Sequence, residues 1–124
     1  MNALDYLDIK IKDVSKEKVT LTMVIDEKHL QPFGLMHGGM NAILIETATS
    51  IGANESIDTT KQVAVGLDIQ VNHLKSAVKD DTLTIVAIPD HIGKTTQVWQ
   101  AEITNQTQQK ISVGRCTLMV KSIS

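Results

Sequence analysis

Only one stretch of this chain carries methyl-bearing side chains at helical spacing over a length that could cross a domain. Positions 40, 43, 44, 47, 48 and 51 lie within a segment running from His37 to about Ser56. The other long regular stretches alternate with period two, as half-buried strands do. Val19, Leu21, Met23 and Ile25 alternate with Thr20 and Thr22. A helix-period and a strand-period pattern bury different faces, so a chain with one long helix among strands must lay that helix on a sheet. The expectation is an α+β fold in which a curved antiparallel sheet wraps around one long central helix.

In chain order, residues 3 to 8 suit a short helical turn, and Ile9 to Val14 a weak strand or connector. Lys18 to Ile25 reads as a strand and Asp26 to Met36 as a loop holding Pro32 and Gly34. After the helix, Val63, Val65, Leu67, Ile69 and Val71 are expected to face one way, with Gly66, Asp68, Gln70 and Asn72 facing the other. Leu83 to Ile88 is the next strand, Pro89 to Lys94 a turn, and Thr95 to Thr104 a strand holding Val98 and Trp99. Asn105 to Gln109 is a polar hairpin turn, and Lys110 to Lys121 a last strand. The order is strand, helix, then four strands. An open sheet leaves two exposed edges, and pairing one of them with a second copy would remove it, so at least a homodimer is expected.

The hydrophobic share, 42% of 124 residues, suffices for one core, so residues 1–124 are read as a single domain. One cysteine, Cys116, offers no internal disulfide; its place in an alternating strand suits a buried structural thiol. No apolar run is long enough to span a bilayer and the N-terminus has no basic region followed by an apolar core, so a cytoplasmic protein with no membrane partner is expected. A net charge of -2 with scattered basic residues, and only Tyr6, Phe33 and Trp99 as aromatics, argue against a nucleic-acid partner. His29, His37, His73 and His91 have no mutual spacing suited to a metal, so none is expected.

Chemistry concentrates between Gln31 and Ser50. Glu46 stands among Ile43, Leu44, Ile45, Ala48 and Ile51, which leaves little room for a solvated face, and an acid placed so must be partnered or used. Gly38 and Gly39 sit where the loop meets the helix. Two readings are open there: a tight turn, or a place where a ligand oxygen approaches backbone N–H groups that lack helical partners. Glu46 lies eight residues beyond Gly38, roughly 12 Å along a helix, so the two cannot act on one carbonyl within one chain. If they serve one reaction, the donor comes from one subunit and the acid from another. Ser50, one turn beyond Glu46, could hold the carboxylate or a water. His37 and Gln31 could orient a thioester or ester carbonyl, and for His37 the other reading is a structural hydrogen-bonder at the helix start.

The run Gln31-Pro-Phe-Gly-Leu-Met-His-Gly-Gly, followed by Glu46 and Ser50, resembles the signature of hotdog-fold acyl-CoA thioesterases of the PaaI-like and 4-hydroxybenzoyl-CoA thioesterase group. Val65-Gly-Leu-Asp-Ile-Gln-Val-Asn-His-Leu-Lys-Ser-Ala and His91-Ile-Gly-Lys-Thr-Thr-Gln-Val-Trp-Gln match as well. These are most similar to the branch with 1,4-dihydroxy-2-naphthoyl-CoA thioesterases. The resemblance spans the chain from about residue 18 onward. It implies the hotdog fold, active sites at a dimer boundary, and a homotetramer of two dimers. Glu46 would be the catalytic carboxylate, as nucleophile or general base, and Gly38 the N–H donor to the thioester carbonyl. Gln31 and His37 would position substrate or water, and Ser50 would align the attacking group. His73, Lys75 and Ser76, with Gly93, Lys94 and Thr95, match positions that contact coenzyme A in related enzymes. Lysine stands at 75 and 94 where arginine is frequent, which weakens a bidentate phosphate contact.

The implied reaction is hydrolysis of an acyl-CoA, with an aromatic acyl group of the 1,4-dihydroxy-2-naphthoyl or phenylacetyl type, to a free acid and coenzyme A. No cofactor is implied, since coenzyme A belongs to the substrate. A non-catalytic acyl-CoA-binding protein and a hotdog enoyl-CoA hydratase or dehydratase are the alternatives.

Overall fold

The computed structural model describes residues 1–123. The helix α1 (Ala3–Tyr6) is a single turn, capped where the Asn2 side chain accepts from the N–H of Asp5. Two short strands follow, β1 (Lys10–Val14) and β2 (Val19–Val24), then a 3₁₀ turn at Glu27–His29 and the long helix α2 (Gly39–Glu55). Four long strands complete the chain: β3 (Gln62–His73), β4 (Thr82–Ile92), β5 (Thr96–Thr104) and β6 (Lys110–Ser122). They form one six-stranded sheet in the order β1-β2-β4-β5-β6-β3, antiparallel throughout. This is the hotdog fold.

The sheet curves so that five of its strands touch α2 substantially and β1 only at its margin. Alternation decides which side chains reach the helix: Val19, Leu21 and Met23 from β2, Leu83, Ile85 and Ala87 from β4, and Cys116 and Leu118 from β6 are all buried. On α2 they meet Met40, Leu44, Ile45, Ala48 and Ala53. Apolar residues are spread around the helix among polar ones rather than gathered on one face, so the sheet alone does not cover all of them. Ile43 and Glu46 remain exposed on the side toward β3.

Trp99 is fully buried against the helix, and its ring stands where a side chain at position 52 would be, so only Gly52 permits this approach. Its indole N–H donates to Oε1 of Gln97 at 2.8 Å, and Nε2 of Gln97 donates to Ser56 Oγ at 2.6 Å. That polar bridge ties the start of β5 to the C-terminal end of α2. Near the other end of the helix, His29 is buried with both ring nitrogens used. Nδ1 accepts from the N–H of Asp26 at 2.9 Å, and Nε2 donates to Leu7 O at 2.7 Å. The loop carrying residues 31–38 is therefore fastened to the N-terminal segment.

Three expectations change. β4 continues through Pro89 to Ile92, because the register shifts between Pro89 and His91 and an irregularity of that kind accommodates a proline. β3 does not keep one apolar face. A bulge between Gly66 and Asp68 inserts Leu67, which is 61% exposed, so the helix-facing side passes from Ala64 and Gly66 to Ile69, Val71 and His73. Finally, Ile9 to Val14 provides a true edge strand, β1, so the sheet has six strands.

Candidate active site

The helix start, the end of β3 and the residues after it enclose an open cleft of about 250 Å³ lined by Met36, Gly38, Asn41, His73, Lys75 and Ser76 among others. The loop reaches this place through backbone bonds: Met36 N–H to Ala77 O at 2.8 Å, and His37 N–H to His29 O at 2.8 Å. The helix begins without a side-chain cap from Gly38. Gly39 donates to His37 Nδ1 at 2.8 Å, and Met40 and Asn41 donate to the carbonyls of His37 and Gly38. The N–H of Gly38 itself meets no acceptor among the described residues. It is an available donor at a positive helix end, where negative charge on an oxygen is favoured. A side chain at position 38 would crowd the His73 ring, since a β-carbon there would lie 3.3 Å from Cε1.

His37 accepts through Nδ1, so its neutral ring carries hydrogen on Nε2. Gln31 is turned inward on its own loop. Its Oε1 accepts from Phe33 N–H and, at 3.4 Å, from Leu35 N–H, which leaves only its amide nitrogen to offer outward.

Glu46 departs from expectation. It is exposed rather than buried, because it projects from the helix flank toward β3, beyond which the sheet ends. Its carboxylate lies in the space that a side chain on Gly66 would fill. A glycine inside an otherwise regular strand signals a bulge or a close approach, and Gly66 provides both. Ser50 is half-buried one turn along. Beneath this flank lies Cys116, fully buried; its thiol is pushed up by that burial, with the charges of Glu46 and Asp68 adding to it and a hydrogen bond to Thr49 opposing it.

The residues matched to coenzyme A contacts fall into two groups. His73, Lys75 and Ser76 line the cleft at the start of α2. Gly93, Lys94 and Thr95 form the β4–β5 turn, just before the Gln97 bridge to Ala53 and Ser56. The two groups lie near opposite ends of a helix roughly 25 Å long, so a single chain does not bring them together. Gly66, Asn41 and Ser112 join the site from the structure. Asn41 is buried in the first turn of α2, within hydrogen-bonding distance of both His73 and Ser112.

An acid on the helix flank and an unused N–H at the helix start thus lie beside the outer strand of one hotdog scaffold. The sequence profile of the thioesterase superfamily matches residues 33–112. The chain is 40% identical over 121 residues to the 1,4-dihydroxy-2-naphthoyl-CoA hydrolase of Listeria monocytogenes, an alignment covering 98% of this chain and 97% of that protein. A crystal structure of a variant of a Staphylococcus aureus thioesterase superposes with a TM-score of 0.91 at 39% identity, covering 95% of this chain and 97% of that one. A Streptococcus mutans protein bound to acetyl CoA gives a TM-score of 0.84 at 29% identity, covering 92% and 89%. The chain belongs to the thioesterase superfamily and is a thioester hydrolase.

Proposed function

We propose that this thioester hydrolase acts on an acyl-CoA with an aromatic acyl group, at a site completed by a second copy of the chain. One observation carries this reading. Donor and acid lie well apart along one helix, yet both open toward β3, whose outer edge has no partner strand in the sheet. Pairing two such edges antiparallel sets the second helix running the opposite way. The cleft with Gly38 and His73 of one protomer is then carried toward the partner's acid. The same reversal carries the partner's β4–β5 turn, with its lysine, toward Lys75 and Ser76. Two cationic side chains there suit the phosphates of coenzyme A.

The thioester oxygen takes the Gly38 N–H, which supports the negative charge that builds on it as the carbonyl carbon becomes tetrahedral. Glu46 either takes a proton from water as that water attacks, or attacks the carbon itself and is released from the acyl group by water. Both routes break the C–S bond and give the free acid and the thiol. Ser50 aligns the attacking group, and the amide nitrogen of Gln31 and Nε2 of His37 orient the acyl end. No cofactor takes part. The assembly is a homodimer, paired further into a homotetramer, and works in the cytoplasm. The 1,4-dihydroxy-2-naphthoyl substrate is favoured by the Listeria relative, whose alignment spans nearly the whole of both chains.

The test is thiol release from a panel of naphthoyl, phenylacetyl, benzoyl and fatty acyl-CoAs, beside light scattering for mass. An aromatic substrate turned over fastest by a dimer or tetramer is expected. A fully active monomer, tight binding without thiol release, or hydration of an enoyl-CoA in its place would overturn the reading.

Gly66→Ala makes a narrower prediction. The added carbon displaces the Glu46 carboxylate, and because misplacement of a reacting group by about 1 Å can cost 10²-fold, kcat should fall by at least about tenfold. The residue lies on an exposed part of the strand, so the urea midpoint should move by no more than about 1 kcal/mol of stability. Unchanged kcat would show that the carboxylate does not need that place.

A further inference from the structure

We infer that Asn41, held by Ser112, is a positioning residue that fixes His73 with its hydrogen on Nε2, so that this N–H stands beside that of Gly38 as a second donor to the thioester oxygen. The inference deepens the proposed site and rests on it. Its basis is a chain of three side chains: Ser112 Oγ lies 3.0 Å from Asn41 Oδ1, and Asn41 Nδ2 lies 3.0 Å from His73 Nδ1. The backbone builds this arrangement, since Ser112 on β6 is directly opposite His73 on β3 in the sheet register and α2 lays its first turn over the pair.

Direction along the chain follows from burial. Ser112 is fully buried, and its hydroxyl hydrogen has one acceptor among the described residues, Asn41 Oδ1. The reverse arrangement would leave that buried hydrogen without an acceptor, which native interiors rarely tolerate. The carboxamide of Asn41, itself 4% exposed, therefore turns its NH₂ toward the imidazole. Nδ1 of His73 must then present a lone pair, and a neutral imidazole that accepts at Nδ1 carries its hydrogen on Nε2. The ring packs over Gly38, with Nε2 3.5 Å from where a β-carbon on Gly38 would be, and both residues line the same cleft. An apolar residue at position 41 could pack beneath the sheet as its neighbours do. An amide there, with both ends satisfied, sets a tautomer instead.

The tautomer is read directly by two-bond proton–nitrogen correlation spectra of uniformly ¹⁵N-labelled protein at pH 8, assigned to His73 by loss of its signals in His73→Ala. The expected wild-type ring has unprotonated Nδ1 and protonated Nε2. Asn41→Asp offers only acceptor oxygens to Nδ1, so the neutral ring should carry its hydrogen on Nδ1 in place of Nε2, leaving Nε2 a lone pair and no donor. With it, kcat for the best acyl-CoA should fall by about 10²-fold, the scale for losing one oxyanion donor. KM should stay within about twofold, because the interaction strengthens in the transition state. Asn41→Asp combined with His73→Ala should be no worse than His73→Ala alone. A purely structural role would lower the melting temperature and leave this dependence on His73 absent.

A wild-type ring with hydrogen on Nδ1 overturns the inference without any variant having to fold. So does an Asn41→Asp protein with wild-type kcat whose spectra show Nε2 of His73 without a hydrogen. Failure of the wild type to release thiol from any acyl-CoA would strike the proposed function instead, and the spectra would still decide the tautomer.

Discussion

Glu46→Ala should lower kcat for acyl-CoA hydrolysis by at least about 10²-fold, the scale on which loss of a general acid or base is felt. The fold should not notice the change. Glu46 is exposed on the helix flank, and alanine is the stronger helix former, so stability should move by less than about 0.5 kcal/mol. That separation makes the experiment informative, because lost activity cannot then be laid to unfolding. Glu46→Gln keeps the shape beside Gly66 and removes only the basic oxygen, so it should be as inactive as the alanine variant. Glu46→Asp draws the carboxylate back by one methylene and should fall between them and the wild type. Thiol release within a few-fold of wild type in the glutamine variant would remove Glu46 from the chemistry and the reading with it.

Trp99→Ala should produce the largest loss of stability of any single truncation in the core. Deleting a buried tryptophan side chain costs about 3–5 kcal/mol, against about 5–15 kcal/mol for a whole domain. The site offers little relief by collapse, since the ring is wedged against Gly52, which has no side chain to move into the space. The substitution also removes the N–H that Oε1 of Gln97 accepts, which loosens the bridge from β5 to Ser56. Urea unfolding of the purified variant measures this. A loss below about 2 kcal/mol would mean that the helix is anchored elsewhere.

The fold was legible because its two periods do not overlap. The segment from His37 to about Ser56 can only be a helix, and α2 begins and ends within two residues of those limits. Alternation located β2 and β3, turn signals and β-branched residues the strands after them, and alternation failed where a single residue changed the count. The bulge at Leu67 reverses the face of β3, and Gly66 was its one local signal. Pro89 looked like a strand end because proline removes a ladder donor, yet the strand accommodates it at an irregularity. Within the site, the acid and the glycine pair stood out because both break local rules. The exposure of Glu46 could not be read from its apolar neighbours, because it depends on where the sheet stops, a property of the topology. Asn41 and Ser112 are 71 residues apart, and no local pattern links them.

The side chain of Asn54 reaches across to β3, where its Oδ1 accepts from the N–H of Ala64 at 2.9 Å and its Nδ2 donates to Ala64 O at 3.1 Å. Those are backbone groups that an arriving strand would otherwise seek. A second copy pairing here, as proposed, would find the edge already occupied at Ala64 and would pair farther along, from Gly66 toward His73. A flat, uniform edge would admit strands in several alignments, and chains joined out of step can continue adding without end. In the proposed dimer this one amide would work as a doorstop, denying the slipped alignments that lead to aggregates and leaving the stretch beside Glu46 for the partner.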